Sequence, residues 1–229
     1  MNKGLEKSTI KFIDDLRRNN QRDWFQDHKP RYEAARKDYI AFLDELLPAV
    51  ATFEPVAAGQ QGKDLLFRIY RDVRFSHNKS PYKDHFGAYL AEGGRKSINP
   101  GYYLHISSQD QSFIAIGLWM PPPAPLKAVR QEIDYNLGEF ESIVRDPAFA
   151  GFFGEIGGEK LKTTPKGYEA DNPALPYLRH KSWMVSRPLP DALVTSAALF
   201  DEVLRAIELA QPFKDFLMHP MREVSGAAE

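Results

Sequence analysis

The stretch Phe67-Arg68-Ile69-Tyr70-Arg71-Asp72-Val73-Arg74-Phe75-Ser76-His77-Asn78-Lys79-Ser80-Pro81-Tyr82-Lys83 sets the reading of the rest of the chain. Successive side chains of an extended strand point to opposite faces. Leu65, Phe67, Ile69, Val73 and Phe75 then share an apolar face interrupted by Arg71, and Arg68, Tyr70, Asp72 and Arg74 share a polar one. The alternation predicts a strand over Leu65–Tyr70 with one buried face. An arginine on that face is costly unless paired, so Asp72 or another acid meets Arg71, or the strand bulges there. Ser80-Pro81-Tyr82-Lys83 has the composition of a turn leading into the next strand.

Three further strand-like runs accompany it. Phe86–Leu90 lies beyond the basic segment, and Tyr102–Ser107 and Phe113–Trp119 are joined by the polar link Ser108-Gln109-Asp110-Gln111. Links this short favour antiparallel neighbours. Before the sheet, Ser8, as a cap, with Ile10, Phe12, Ile13 and Leu16 predicts a short helix ending near Asn19-Asn20. A second helix starts at Pro30 and runs through Tyr32, Ala35, Tyr39, Phe42, Leu43, Leu46 and Leu47 to Pro48. After the sheet, Pro121 to Pro125 stop the strands and open a helix through Leu126, Val129, Arg130 and Ile133. Short helical pieces are expected over 139–153, an irregular basic section from Gly157-Gly158, and a strand at Trp183–Val185. A long helix opens at Pro190 and closes at Pro212, and Ser225 to Glu229 form a frayed tail. The pattern predicts a single α+β domain over 1–229, an antiparallel meander covered by N-terminal and C-terminal helices. The two N-terminal helix patterns are too short to stand alone in water, which predicts that they cover the sheet and that Trp24 is largely buried.

Composition removes several classes of function. No cysteine is present among the 229 residues, which excludes disulfides, a thiolate metal site and a cysteine nucleophile. The net charge of -1 argues against a bulk polyanion binder. The first residues, Met-Asn-Lys-Gly-Leu-Glu-Lys, lack the apolar core of a secretory signal, and the longest apolar run, Phe113 to Met120, is far short of the ~20 residues of a membrane span. The expectation is a cytoplasmic protein with no membrane partner. Walker, G-x-G-x-x-G and G-x-S-x-G motifs are missing, so no cofactor is expected, and the six histidines show no metal-ligand spacing.

The neutral total conceals an asymmetry. Residues 61–120 carry eight basic and five acidic side chains, and 188–229 carry three against seven. Arg68, Arg71, Arg74, Lys79 and Lys83 account for most of the local excess. Such a cluster has two readings. Planar guanidiniums hold phosphate or carboxylate in bidentate fashion, and lysines add point charges, which makes an anion receptor. Alternatively the cluster is an internal salt-bridge network in which Asp72 orients Arg71. On the first reading Arg68 and Arg74 converge on a concave pocket, Tyr82 donates or stacks, and Lys166 and Lys181 close the site. The ligand is an anionic small molecule or nucleotide, with a short nucleic-acid segment also admitted. An enzyme acting on a phosphorylated substrate would use Asp72 or His105 as acid/base. A third possibility is an interaction domain for an acidic protein partner. The oligomeric state is left open.

The pattern R-x-x-R-D-x-R-F-x-x-x-[DN]-K-x-x-Y, filled by Arg68, Arg71, Asp72, Arg74, Phe75, Asn78, Lys79 and Tyr82, resembles the signature of a widespread bacterial family catalogued as domain of unknown function 2461. Asn19-Asn20-Gln21-Arg22-Asp23-Trp24-Phe25 with His28-Lys29 and Tyr32, Pro100 to Ile106, and Leu161-Lys162 with Pro165-Lys166-Gly167-Tyr168 are similar to that family too. The resemblance spans nearly the whole chain. It implies one full-length module and carries no particular activity with it.

Overall fold

Apolar spacing between Ile10 and Leu16 becomes helix α1 (Lys7–Arg18), which buries Thr9, Ile10, Phe12, Ile13 and Leu16. The structure is a computed structural model of the chain and describes residues 4–226. Ser8 lies inside α1 instead of capping it. Asp38 ties down the helix start instead, accepting from the Glu6 amide at 2.9 Å and the Thr9 hydroxyl at 2.6 Å. Trp24 and Phe25 form a short helix α2 (Arg22–Asp27) that sequence periodicity did not reveal, because six residues are under two turns. Helix α3 (Lys29–Val50) continues two residues past Pro48, with Leu46, Leu47 and Val50 keeping the buried stripe.

The sheet has the order β1 (Phe86–Ala91), β2 (Gly101–Ile106), β3 (Ser112–Leu118) and β4 (Trp183–Leu189), an antiparallel meander flanked by N- and C-terminal helices, and the class is α+β. Gln109 (φ 63°) and Asp110 (φ 57°) take the left-handed conformation that matches a tight β2–β3 hairpin to strand twist. The expected first strand does not form. Leu65 closes a short helix α4 (Gly62–Leu65), and beyond it only isolated bridges remain, Leu66 to Ala88 and Tyr70 to Tyr82.

By internal contacts the chain divides into two compact units that interleave in sequence. One comprises the chain to Leu90, Tyr103–Ile114 and Pro188–Arg205; the other comprises Ala91–Tyr102, Ala115–Arg187 and the chain from Ala206. In the first, Tyr39 of α3 is fully buried and donates to the Leu104 carbonyl of β2 at 2.9 Å. Phe12, Phe25, Tyr32 and Phe86 extend that aromatic core. Phe25 is the buried member of the Trp24-Phe25 pair. Trp24 is half-buried, stacked on His28 at 4.1 Å, so it is less covered than the sequence predicts.

The second unit holds α5 (Pro123–Tyr135), α6 (Leu137–Val144), α7 (Pro147–Phe153) and α8 (Leu175–Leu178). The predicted C-terminal helix is broken in two. A turn at 195–197 separates α9 (Asp191–Val194) from α10 (Ala198–Gly226), where the Ser196 hydroxyl accepts from the Ala198 amide. Neither Pro212 nor Pro220 ends α10. A helix-interior proline costs about 3 kcal/mol, but Phe213, Phe216 and Leu217 are buried immediately after Pro212, each worth roughly 1.5–3 kcal/mol. Of the expected tail, Ser225 and Gly226 continue the helix and 227–229 lie outside the described residues. Among the described residues, no helix is long and apolar enough to cross a membrane.

Candidate functional site

The failed strand creates the site. Between the bridges Leu66–Ala88 and Tyr70–Tyr82, four steps of chain on one side face six on the other. The Phe67 amide still reaches the Gly87 carbonyl at 2.9 Å, and the Lys83 amide reaches the Ile69 carbonyl at 2.8 Å. The two surplus residues are Asp84 and His85, which bend out of the ladder opposite Arg68. A bulge of this kind re-aims side chains, and here it brings both residues to the wall of a cleft.

That cleft has a volume of about 490 Å³ and is lined by Arg17, Asn20, Arg71, Asn78, Ser80, Tyr82, Lys83, Asp84 and His85. Asn20 fastens one edge, accepting from the Tyr82 amide and donating to the Tyr82 carbonyl, both at 3.0 Å. The buried Tyr82 ring stacks on Phe25 at 4.0 Å. Arg17, in the last turn of α1, donates to Asp84 Oδ2 at 3.0 Å, to Ser107 Oγ at 2.8 Å and to Gln111 Oε1 at 2.9 Å. The Asp84 carboxyl lies below the usual carboxylate range. Burial alone would raise it, and hydrogen bonding with the Arg17 charge outweighs that.

Arg71 is half-buried, and its guanidinium contacts only the Ser80 carbonyl at 3.3 Å and the Ser76 hydroxyl at 3.4 Å. Among the described residues it faces no carboxylate. Lys83 is likewise without an acid. Its ammonium sits 5.2 Å from the Phe67 ring, and burial, with the Arg68 charge, holds it below the ordinary lysine range. The walls therefore carry three cations against one carboxylate, already engaged by Arg17.

Behind this wall the His85 ring lies 4.2 Å from His105, which stacks on Phe113 at 4.6 Å and meets the Tyr103 hydroxyl at 3.2 Å. Burial pushes His105 down to about 4, helped by His85. Burial lowers His85 as well, partly offset by Asp84, whose Oδ1 is 3.5 Å from His85 Nδ1. An ionised carboxylate can only accept, so Nδ1 carries the proton and Nε2 the lone pair in the neutral ring.

Of the residues proposed from sequence, the cleft gathers Arg71, Tyr82 and Lys83. Arg68 and Arg74 do not converge on it. Arg74 is exposed and turned onto Asp72, donating through Nε at 3.0 Å and Nη2 at 2.7 Å, while Arg68 is exposed but close enough for its charge to act on Asp72 and Lys83. The alternation stops at Arg71 because the chain turns there, and Phe75, expected on the core face, is 95% exposed at the tip of the loop. Asp72 thus orients Arg74 and not Arg71. Lys79 donates to the Val73 carbonyl at 3.0 Å and holds the loop closed. Lys166 and Lys181 belong to the second unit; Lys166 is exposed beside Gly167 (φ 93°), and Lys181 pairs with Glu159 at 2.6 Å. His105 stands behind His85 and does not line the cleft. Sequence reasoning missed Arg17, Asn20, Asp84 and His85. The available signal was the acid Asp84 directly after a basic run, followed by a histidine.

The second unit has its own cleft, about 690 Å³, whose charged walls are balanced, with Glu141 and Glu155 beside Arg145 and Lys160. Arg145 is already held by Glu141 at 2.6 Å. It has no comparable excess of either sign.

A family model described as "Conserved hypothetical protein (DUF2461)" matches residues 8–216. No curated protein and no solved structure matches the chain.

Proposed function

The chain belongs to the DUF2461 family, and from the cleft of its first unit we propose that it binds a small phosphorylated or otherwise anionic ligand, nucleotides being the leading class. One observation carries this reading: Arg71, half-buried in the wall beside Lys83, has no carboxylate among the described residues to match its charge. A guanidinium withdrawn from water needs a counter-charge, and its planar fork suits the oxygens of a phosphate. The cleft volume, about 490 Å³, falls within the range of roughly 300–1,000 Å³ typical of small-ligand pockets, which favours a small ligand over a long polymer. Asn20, Asn78 and Ser80 supply neutral polar groups for the rest of such a ligand.

A second reading, an enzyme on a phosphorylated substrate, is favoured by the Asp84–His85 pair in the same wall. Its acid/base would then be His85, in place of Asp72 or His105.

Calorimetric titration with inorganic phosphate and with adenosine monophosphate tests the binding reading. One site per chain is expected, with a dissociation constant between roughly micromolar and millimolar. A plot of log K against log salt should be shallower than the slope of about −2 to −3 expected where a single strand crosses three to four cations. Lack of saturable binding by either anion would overturn the proposal.

A further inference from the structure

We infer that the cleft selects a dianion, such as a terminal phosphate, over a monoanionic phosphodiester, and that His85 takes up a proton when the dianion binds. This rests on the anion-binding reading above and specifies the charge of the ligand and a further residue that meets it.

The charge of the walls leads to the first half. Arg17 is matched by Asp84, which leaves the Arg71 guanidinium and the Lys83 ammonium, two cations on one cleft, without a carboxylate among the described residues. Two uncompensated positive charges are neutralised by two negative ones. A terminal phosphoryl group brings close to two at neutral pH, and a diester linkage brings one. Because both cations are partly withdrawn from solvent, the missing charge is felt at an effective dielectric well below that of water.

The position of His85 leads to the second half. His85 lines the same cleft as Arg71 and Lys83, with its ring backed by His105 at 4.2 Å. Burial opposes the protonated ring most; Asp84, on the same bulge, favours it, whereas Lys83 from the adjoining segment and Arg17 from α1 oppose it. His105, against its face on β2, is uncharged near neutrality, so it supplies bulk without charge. The balance leaves His85 neutral in the unliganded protein at pH 7. A dianion in the cleft adds negative charge to the wall that the ring occupies. Opposite charge within ~4–6 Å moves a titration by about one to three pKa units toward the charged form. By linkage, proton uptake on binding makes the affinity rise as the pH falls through that window.

Sulfate and dimethyl phosphate separate the possibilities, since sulfate stays dianionic across the working range and cannot itself account for proton uptake. Titrations at about pH 6.5 in two buffers of different ionisation enthalpy count the protons. The expected result is sulfate binding at least about tenfold more tightly than dimethyl phosphate, with net uptake of up to one proton per chain. Sulfate affinity should weaken by about tenfold between roughly pH 5.5 and 8, and His85→Gln should abolish that slope while still binding sulfate. Running the series in Lys83→Arg, whose charge is fixed, assigns the proton to the histidine. If His85→Gln fails to fold, the proton count of the unaltered protein decides alone. Equal affinities for the two anions, or sulfate binding without proton uptake, would overturn this inference and leave the anion site standing. Binding of neither anion would overturn both.

Discussion

Asp72 grips Arg74 through both carboxylate oxygens, at 3.0 and 2.7 Å, and leaves Arg71, one residue earlier, to the cleft. The pair is solvent-exposed, and Arg74 pulls Asp72 below the usual carboxylate range without anchoring it to the core. Exposed ion pairs contribute little to stability. Asp72→Ala is therefore expected to leave phosphate affinity within about twofold of the unaltered protein and the melting temperature almost unmoved. Parallel titration and thermal melts check this, and a large loss of affinity would place Asp72 in the site after all.

Much of the fold could be read from periodicity. The i, i+3, i+4 spacing of Ile10 to Leu16 and of Ala35 to Leu47 describes α1 and α3, and short apolar runs describe β1, β2 and β3. What could not be read was decided by tertiary contacts. Asp38 fastens the start of α1 where Ser8 was expected to cap it, and buried aromatic residues carried α10 through Pro212. The candidate site was half legible for the same reason. Local alternation assigns Arg68 and Arg71 to opposite faces but does not reveal a two-residue surplus between Tyr82 and Ala88. That surplus moves Asp84 and His85 into the cleft and breaks the strand.

Proton linkage at the buried histidines gives the folded protein a defined acid sensitivity. His105 and His180 are both depressed to about 4 by burial, against an ordinary value near 6.5 in the unfolded chain. Well above about pH 6.5 neither state is protonated at these sites, so stability is independent of them. As the pH falls from there toward 4, the unfolded chain binds protons that the folded one refuses, and stability declines. Melting temperatures measured between roughly pH 4.5 and 8 should show this fall, and His105→Phe should make it shallower by removing one of the two contributions. A melting temperature constant down to pH 5 would contradict the assignment.

Gly117, on β3, has φ 132°, and a Cβ there would collide with the Trp183 carbonyl of β4. A left-handed strain of about 1–3 kcal/mol and a backbone clash act together. Gly117→Ala should therefore cost more than about 2 kcal/mol in chemical denaturation. A near-neutral effect would mean that the strands can separate without penalty at that point.

Lys83 should be distinguishable from the other lysines by chemistry. Burial and Arg68 hold its ammonium below the ordinary range, so a larger fraction is the nucleophilic amine at mildly alkaline pH. Limited acylation followed by peptide mass mapping should show Lys83 modified ahead of the exposed Lys63 and Lys79, with phosphate slowing Lys83 selectively. Equal rates at all three, unaffected by phosphate, would speak against an anion beside Lys83.

On the proposed reading, an unmatched guanidinium in the cleft of the first unit holds an anion. That reading is tested most directly by measuring phosphate affinity, under identical salt and pH, for the unaltered protein, Arg71→Ala and Arg74→Ala. A charge-assisted contact is worth about 1.5–3 kcal/mol, so Arg71→Ala should weaken binding by roughly 10- to 150-fold, whereas Arg74→Ala should change it by no more than about twofold. Phosphate binding that survives unchanged in Arg71→Ala would contradict the account.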